Sequence, residues 1–141
     1  PLLIDLYGTK TLLSHGDALC TADAEYMAFR KQVRDPAFQQ QFLAKPLSER
    51  RATVEKMRLQ SEQSKKIKSM DIMDVTESAV HALLRQYNYP RLIHGHTHRP
   101  ALHQHLVDGK NCERFVLKDW NETGGYLSCD ENGCSAIKLN K

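Results

Sequence analysis

Three imidazoles recur at every second position in Ile93-His94-Gly95-His96-Thr97-His98-Arg99-Pro100, a residue type and spacing suited to holding metal. Neutral imidazole is the commonest protein metal ligand. In an extended backbone, residues i, i+2 and i+4 project from one face, so His94, His96 and His98 are expected to converge on one side. Same-face neighbours lie about 6.5 to 7 Å apart, so adjacent histidines can each serve a different ion of a pair separated by about 3.5–4 Å. Gly95 lets the backbone pass close to whatever is bound. His15-Gly16-Asp17 also follows a strand-like run, and loops at strand ends in α/β sheets are where ligands collect. His15 is therefore the expected companion of His96 and His98. Two divalent ions also require carboxylates, one of them bridging, and Asp17 and Asp23 are the nearest candidates in sequence.

The elements that must position these groups read as α/β. Leu2 to Tyr7 and Thr11 to Ser14 are expected strands joined by a turn at Gly8, the first of them buried. From Asp23 the apolar spacing becomes helical, over Ala24 to Arg34, Pro36 to Ala44 and Leu47 to about Lys68, with Pro36 and Pro46 in first-turn positions. Tyr26, Phe29, Val33, Phe38, Phe42, Leu43, Val54 and Met57 form the apolar side of these helices and are expected to pack as core. Such basic helices with an apolar inner face could also clasp an amphiphile. A further helix is expected from Thr76 to Gln86, capped by Asp74 or Thr76, followed by a short strand from Arg91 that delivers the histidine loop. After Pro100, four strands separated by Asp-Gly, Gly-Gly and Asn-Gly turns are expected.

The composition is that of a soluble globular domain, with no apolar run near the roughly 20 residues a transmembrane helix requires. There is no initiating Met and no basic-then-apolar leader, so the chain is expected to begin inside a fold. Cys20, Cys112, Cys129 and Cys134 follow no disulfide-framework spacing, and a reducing compartment fits them best. Cys129 and Cys134 flank an Asn-Gly turn and could face each other across two strands; a zinc or disulfide role is the minor reading, since no second cysteine or histidine pair lies nearby. The net charge of +3 is unevenly placed: Arg30 to Lys68 holds eleven Lys/Arg against four Asp/Glu, or +7, which leaves −4 for the remainder. That excess favours a phosphate-bearing ligand, an anionic membrane surface or nucleic acid, or is simply a solvated helical face.

Longer motifs narrow these choices. His15-Gly16-Asp17-Ala18-Leu19-Cys20-Thr21, Phe29-Arg30-x-x-Val33-Arg34, Phe42-Leu43-Ala44-Lys45-Pro46-Leu47, Ile72-Met73-Asp74-Val75, His94 to Pro100 and Val116-Leu117-x-Asp119-Trp120 cover nearly the whole chain. Together they resemble the calcineurin-like metallophosphoesterases of the lipid A pathway that cleave UDP-2,3-diacylglucosamine. The resemblance implies the C-terminal part of a four-layer α/β/β/α sandwich, with core over 1–22 and 72–141 and a helical lid insertion over 23–71. It implies that His15, His96 and His98 ligate a pair of manganese ions, with His96 also catalytic and near the substrate. It assigns substrate contacts to Asp23, Ser61, Lys65 and Lys68. Ser61, Lys65 and Lys68 stand at helical i, i+4 and i+7 spacing and are expected to share a face, while Asp23 also suits the N-cap of the helix beginning at Ala24.

The activity implied is hydrolysis of the substrate pyrophosphate to UMP and 2,3-diacylglucosamine 1-phosphate (lipid X), at the cytoplasmic face of the bacterial inner membrane by a peripheral enzyme. The family's Asp-x-His and Gly-Asn-Arg or Gly-Asn-His motifs do not occur here, and no Gly-Asp motif stands upstream of His15-Gly16-Asp17. The chain is therefore expected to need the N-terminal part of the same enzyme, roughly a hundred residues, to complete the bimetal centre and to be inactive alone. Rival readings are a metallophosphoesterase acting on another nucleotide pyrophosphate, and a non-catalytic metal- or nucleic-acid-binding module. Nucleic acid is not an expected partner, because the aromatic residues fall on the apolar faces and are not interleaved with the charges.

Overall fold

The computed structural model describes residues 1–69, 71–121 and 123–139, with Lys65 described by its backbone alone. The chain divides into two compact units, one made of Pro1–Leu19 and Val75–Lys141, the other of Cys20–Asp74.

The first unit is mixed α/β. Its strands are β1 (Leu2–Leu6), β2 (Thr9–Ser14), β3 (Arg91–His94), β4 (Ala101–Val107) and β5 (Lys110–Val116), ordered β1-β2-β3-β5-β4 in one sheet. β2, β3 and β5 run parallel, with antiparallel partners at the two edges. A parallel strand is screened on both faces, so the central β3 reads as a buried run, Leu92-Ile93-His94. The expectation that the opening strand is buried is not met: β1 is an edge strand, with Leu2 61% and Leu3 43% exposed. β5 begins at Lys110. Asp108 and Gly109 both have positive φ, 52° and 77°, and make the two-residue turn that lets Val107 pair with Lys110 at once.

The helix of this unit is labelled α4 (Glu77–Gln86) in chain order. Thr76 caps it, accepting from the Ala79 N–H at 3.4 Å, and the Thr76 N–H donates to the Leu19 carbonyl at 2.9 Å. Val80 and Leu84, one turn apart, are fully buried with Leu12, Leu19, Leu92, Val107 and Cys112. Each such aliphatic side chain contributes about 1.5–3 kcal/mol by leaving water. β6 (Gly125–Asp130) and β7 (Gly133–Lys138) form a separate hairpin. Within it the expectation of reduced thiols is corrected: Cys129 and Cys134, directly opposed with Cα atoms 4.1 Å apart, are joined as a disulfide, while Cys20 and Cys112 are free and buried.

The second unit holds α1 (Ala24–Val33), α2 (Pro36–Ala44) and α3 (Leu47–Ile67). Asp23 and Asp35 cap the first two, accepting from the Tyr26 and Phe38 N–H groups at 2.9 and 2.8 Å, and Pro36 occupies the first turn of α2. The expected helical core does not form. Tyr26, Val33, Phe38, Phe42 and Met57 are half-buried, whereas Phe29, Leu43 and Val54 are exposed. Three helices in so short a segment lack the volume to enclose an interior of their own. Their apolar side remains an open surface, on which the Phe38 and Phe42 rings stack at 6.4 Å. No helix among the described residues is long and apolar enough to cross a membrane.

Candidate metal-binding site

Strand register brings the predicted ligands to one edge of the sheet. Ser14 pairs with His94 and His94 with Val116, so three parallel strands end level with one another. The next residues of each strand therefore emerge along one edge: His15 after β2, Gly95 to Arg99 after β3, and Leu117 to Asp119 after β5. Backbone hydrogen bonds tie the exits together, Gly95 N–H to the His15 carbonyl at 3.2 Å and Leu117 N–H to the His94 carbonyl at 2.8 Å. The carboxyl ends of parallel strands are the usual place for a ligand in such sheets.

The expected alternation of histidines along an extended run is not what forms. β3 ends at His94, and His96 and His98 adopt left-handed backbone with φ of 69° and 54°. Non-glycine residues are uncommon there, and such conformations concentrate at functional sites. The turn separates the three imidazoles into two kinds. His94 is fully buried, whereas the His96 ring lies 5.0 Å from that of His15, tilted by 56°.

Both ring nitrogens of His94 are occupied. Arg114 Nη1 lies 3.0 Å from His94 Nε2, and His94 Nδ1 lies 2.9 Å from the Gly95 carbonyl oxygen. A guanidinium can only donate, so Nε2 carries the lone pair and Nδ1–H donates to Gly95. His94 therefore has no lone pair left for a metal ion.

His15 and His98 show the opposite pattern. His15 Nδ1 lies 3.1 Å from the buried Asp17 carboxylate, and His98 Nδ1 lies 3.5 Å from Asp119. A carboxylate at Nδ1 holds the proton there and turns Nε2 outward as a lone-pair donor, the arrangement that supports metal-ligating histidines. The His15 and His96 rings are neighbours, but among the described residues His15, His96 and His98 do not bring three donor atoms within 4.8 Å of one another, so these residues alone do not close a three-ligand site. Asp17 acts here as the orienting group of His15 within a short 3-10 turn, Asp17–Leu19.

A second imidazole group was not anticipated from the sequence. Among the described residues, one set of three potential ligands has donor atoms within 4.8 Å of one another, and it is Glu77, His81 and His105, between α4 and β4. His81 Nε2 is buried, has no hydrogen-bond partner and stands 3.5 Å from Glu77. His105 Nε2, however, accepts from Arg114 Nε at 3.0 Å, so an ion there would compete with a guanidinium for the same lone pair. Burial first, then the charge of Arg114 and the neighbouring His81 and His103, hold the His105 pKa below its ordinary value, so this ring stays neutral and able to accept.

The predicted substrate residues lie in the other unit. Asp23 is the N-cap of α1 and is buried, accepting two hydrogen bonds from Lys68 Nζ at 2.7 and 3.0 Å. Lys68 also pairs with Glu25 at 2.8 Å, to which Ser64 donates at 2.8 Å. Burial lowers the Lys68 pKa, but the two carboxylates more than offset it, and the ammonium ends above its ordinary value. The Lys68 and Ser64 hydrogen bonds hold Glu25 below its ordinary range. The expected shared face of Ser61, Lys65 and Lys68 is not formed as such. Ser61 is exposed on α3 and Lys65 lies on the same helix, but α3 ends at Ile67, and Lys68 is an extended cap residue with ψ of 142°. The Lys65 side chain lies outside the described residues.

No protein-family model matches the chain. Curated relatives do. The chain is 55% identical over 133 residues to UDP-2,3-diacylglucosamine hydrolase of Aromatoleum aromaticum, covering 94% of this chain and 54% of that protein. Proteins of the same name from Chromobacterium violaceum and Xanthomonas axonopodis pv. citri are 50% and 47% identical, each over 99% of this chain and 58% and 59% of their own lengths. The chain thus spans a little over half the length of the curated relatives it matches. By sequence it is a homologue of the UDP-2,3-diacylglucosamine hydrolases along nearly all of its own length.

Proposed function

We propose that this chain is the C-terminal part of an enzyme that hydrolyses the pyrophosphate of UDP-2,3-diacylglucosamine to UMP and lipid X in lipid A biosynthesis. The observation that carries the reading is the common edge at which β2, β3 and β5 deliver His15, His96, His98 and Asp119. The five-stranded sheet would be one of the two sheets of a four-layer α/β/β/α sandwich, and the N-terminal part of the enzyme would supply the remaining metal ligands.

His15, His96 and His98 would hold two Mn2+ ions. Bound there, the ions would lower the pKa of the attacking water, polarise the α-phosphorus of the nucleotide and neutralise charge on its oxygens. The chain's own groups do the rest. Asp17, and at longer range Asp119, would favour the tautomer of His15 and His98 that exposes Nε2, and His96, on left-handed backbone, places its ring 5.0 Å from that of His15. His96 would also contact the substrate at the reacting phosphate.

In the helical unit, Asp23, Ser61, Lys65 and Lys68 would contact the substrate headgroup. An open groove of about 320 Å³ lined by Val33, Phe38, Phe42, Leu43 and Met57 would take an acyl chain. Beside it, Arg50, Arg51 and Arg58 edge a second groove of about 330 Å³ that shares Phe42. A cationic rim around apolar surface suits an anionic lipid and peripheral attachment at the cytoplasmic face of the inner membrane.

The test is UMP release from detergent-dispersed UDP-2,3-diacylglucosamine with Mn2+, using the chain co-expressed with the N-terminal part of the Aromatoleum relative. Turnover that disappears with chelator and with His96→Ala, and that is lost on the deacylated substrate, is the expected result. Equal cleavage of the deacylated analogue would assign the chain to a different nucleotide pyrophosphate. No metal-dependent release from either substrate would reject the proposal.

A further inference from the structure

We propose that Arg114 is a positioning residue for the metal-binding loops, acting through His94; the inference rests on the metal reading above. The two loops that carry His15 and His96 both rest on the His94 ring. A Cβ placed on Gly16 would fall 2.6 Å from His94 Nδ1 and 3.0 Å from the Gly95 carbonyl oxygen, so the Gly16 backbone lies directly against that imidazole. Gly16 has φ of +102°, a conformation only glycine adopts readily, which explains why no larger residue stands beside His15. On the other side, the same ring donates to the Gly95 carbonyl at 2.9 Å, and the Gly95 N–H reaches back to the His15 carbonyl at 3.2 Å.

A ring wedged between two loops transmits its own orientation to both, and the orientation of His94 is set from below. Arg114, on β5 and 6% exposed, donates from Nη1 to His94 Nε2 and from Nε to His105 Nε2, each at 3.0 Å. Because the guanidinium is planar and cannot accept, these two bonds fix the plane of the fork, the tautomer of His94 and hence the direction in which its Nδ1–H points. Lysine at this position would present one point donor and could not satisfy both rings in a fixed plane. Without Arg114, His94 could take the other tautomer, turn its lone pair on the Gly95 oxygen and release the loop that leads to His96.

The experiment is Co2+ titration of this chain, followed by the visible d–d bands, for wild type, Arg114→Met and Arg114→Lys, alongside thermal unfolding and His 15N shifts. Arg114→Met should weaken Co2+ binding by about 10–100-fold and alter the band positions, the loss typical of removing an outer partner of a metal-ligating group. Arg114→Lys should recover folding but not the wild-type bands. Wild-type affinity and bands in either variant, with cooperative unfolding retained, would overturn the inference. Should wild type itself take no Co2+, the metal reading fails, and the 15N shifts decide the inference separately. A single Nδ1–H form of His94 in wild type that becomes a tautomer mixture in Arg114→Met or Arg114→Lys supports it, and an unchanged Nδ1–H form in a folded variant overturns it.

Discussion

At the scale of single residues, the chemistry of the histidines is decided by what occupies Nδ1. His94 donates from Nδ1 to a backbone carbonyl and spends Nε2 on Arg114, so it supports. His15 has the Asp17 carboxylate 3.1 Å from Nδ1, which favours a lone pair on Nε2, and His98 has Asp119 at a looser 3.5 Å. The residue types were legible in the sequence, and so was the supporting role of His94 once the longer motifs set His96 and His98 apart from it, but the partners that enforce that role were not, because they are distant in the chain. Arg114 shows the point: its only local signal is a cation at the middle of the same-face series Cys112, Arg114, Val116, all of which are buried. If Asp17 orients His15, then Asp17→Asn should weaken Mn2+ binding to the chain by about 10-fold or more while leaving the fold intact. Isothermal titration at constant pH checks this, and an unchanged dissociation constant would remove Asp17 from the account.

At the scale of elements, strand ends and caps did what their sequence signals specify. Thr76, Asp23 and Asp35 cap their helices, Asp108-Gly109 makes the β4–β5 turn, and the β6–β7 turn is Glu131-Asn132, with Gly133 already paired to Asp130 as the first residue of β7. What local patterns could not show was the burial of β1 or of the helical unit, since both depend on which neighbours cover them. Asp108 has a second role besides turning the chain. It accepts from Arg85 at 2.7 and 2.9 Å and from the Tyr89 hydroxyl at 2.8 Å, tying the end of α4 to the β4–β5 turn. The Arg85 bonds first, then the Tyr89 bond, lower its pKa from 3.8 to about 2. A depressed folded-state pKa contributes stability above the unfolded value and loses it as pH falls through the folded one. Asp108→Asn should therefore melt a few degrees below wild type near neutral pH, with the gap closing between about pH 4 and pH 2. Thermal unfolding across that range is the check, and a gap independent of pH would assign the effect to packing.

At the scale of the whole molecule, the chain presents two units of different character. One is a sheet whose parallel strands end in a row of imidazoles, and the other is a basic helical segment with an open apolar surface. The charge asymmetry and the change from strand-like to helical spacing near Asp23 are the sequence features that accompany these two units. The Glu77, His81 and His105 set was invisible there, because it joins helix and strand residues 24 positions apart or more. That set also supplies the sharpest control for the central claim, which is that His15, His96 and His98 hold the metal. The deciding measurement is the fall of the free Mn2+ resonance signal as the chain is added, for wild type and four alanine variants. The account predicts saturable Mn2+ binding that weakens by about 10-fold or more in His15→Ala, His96→Ala and His98→Ala but is unaffected by His81→Ala. Binding that survives all three substitutions, or is lost only in His81→Ala, would contradict it.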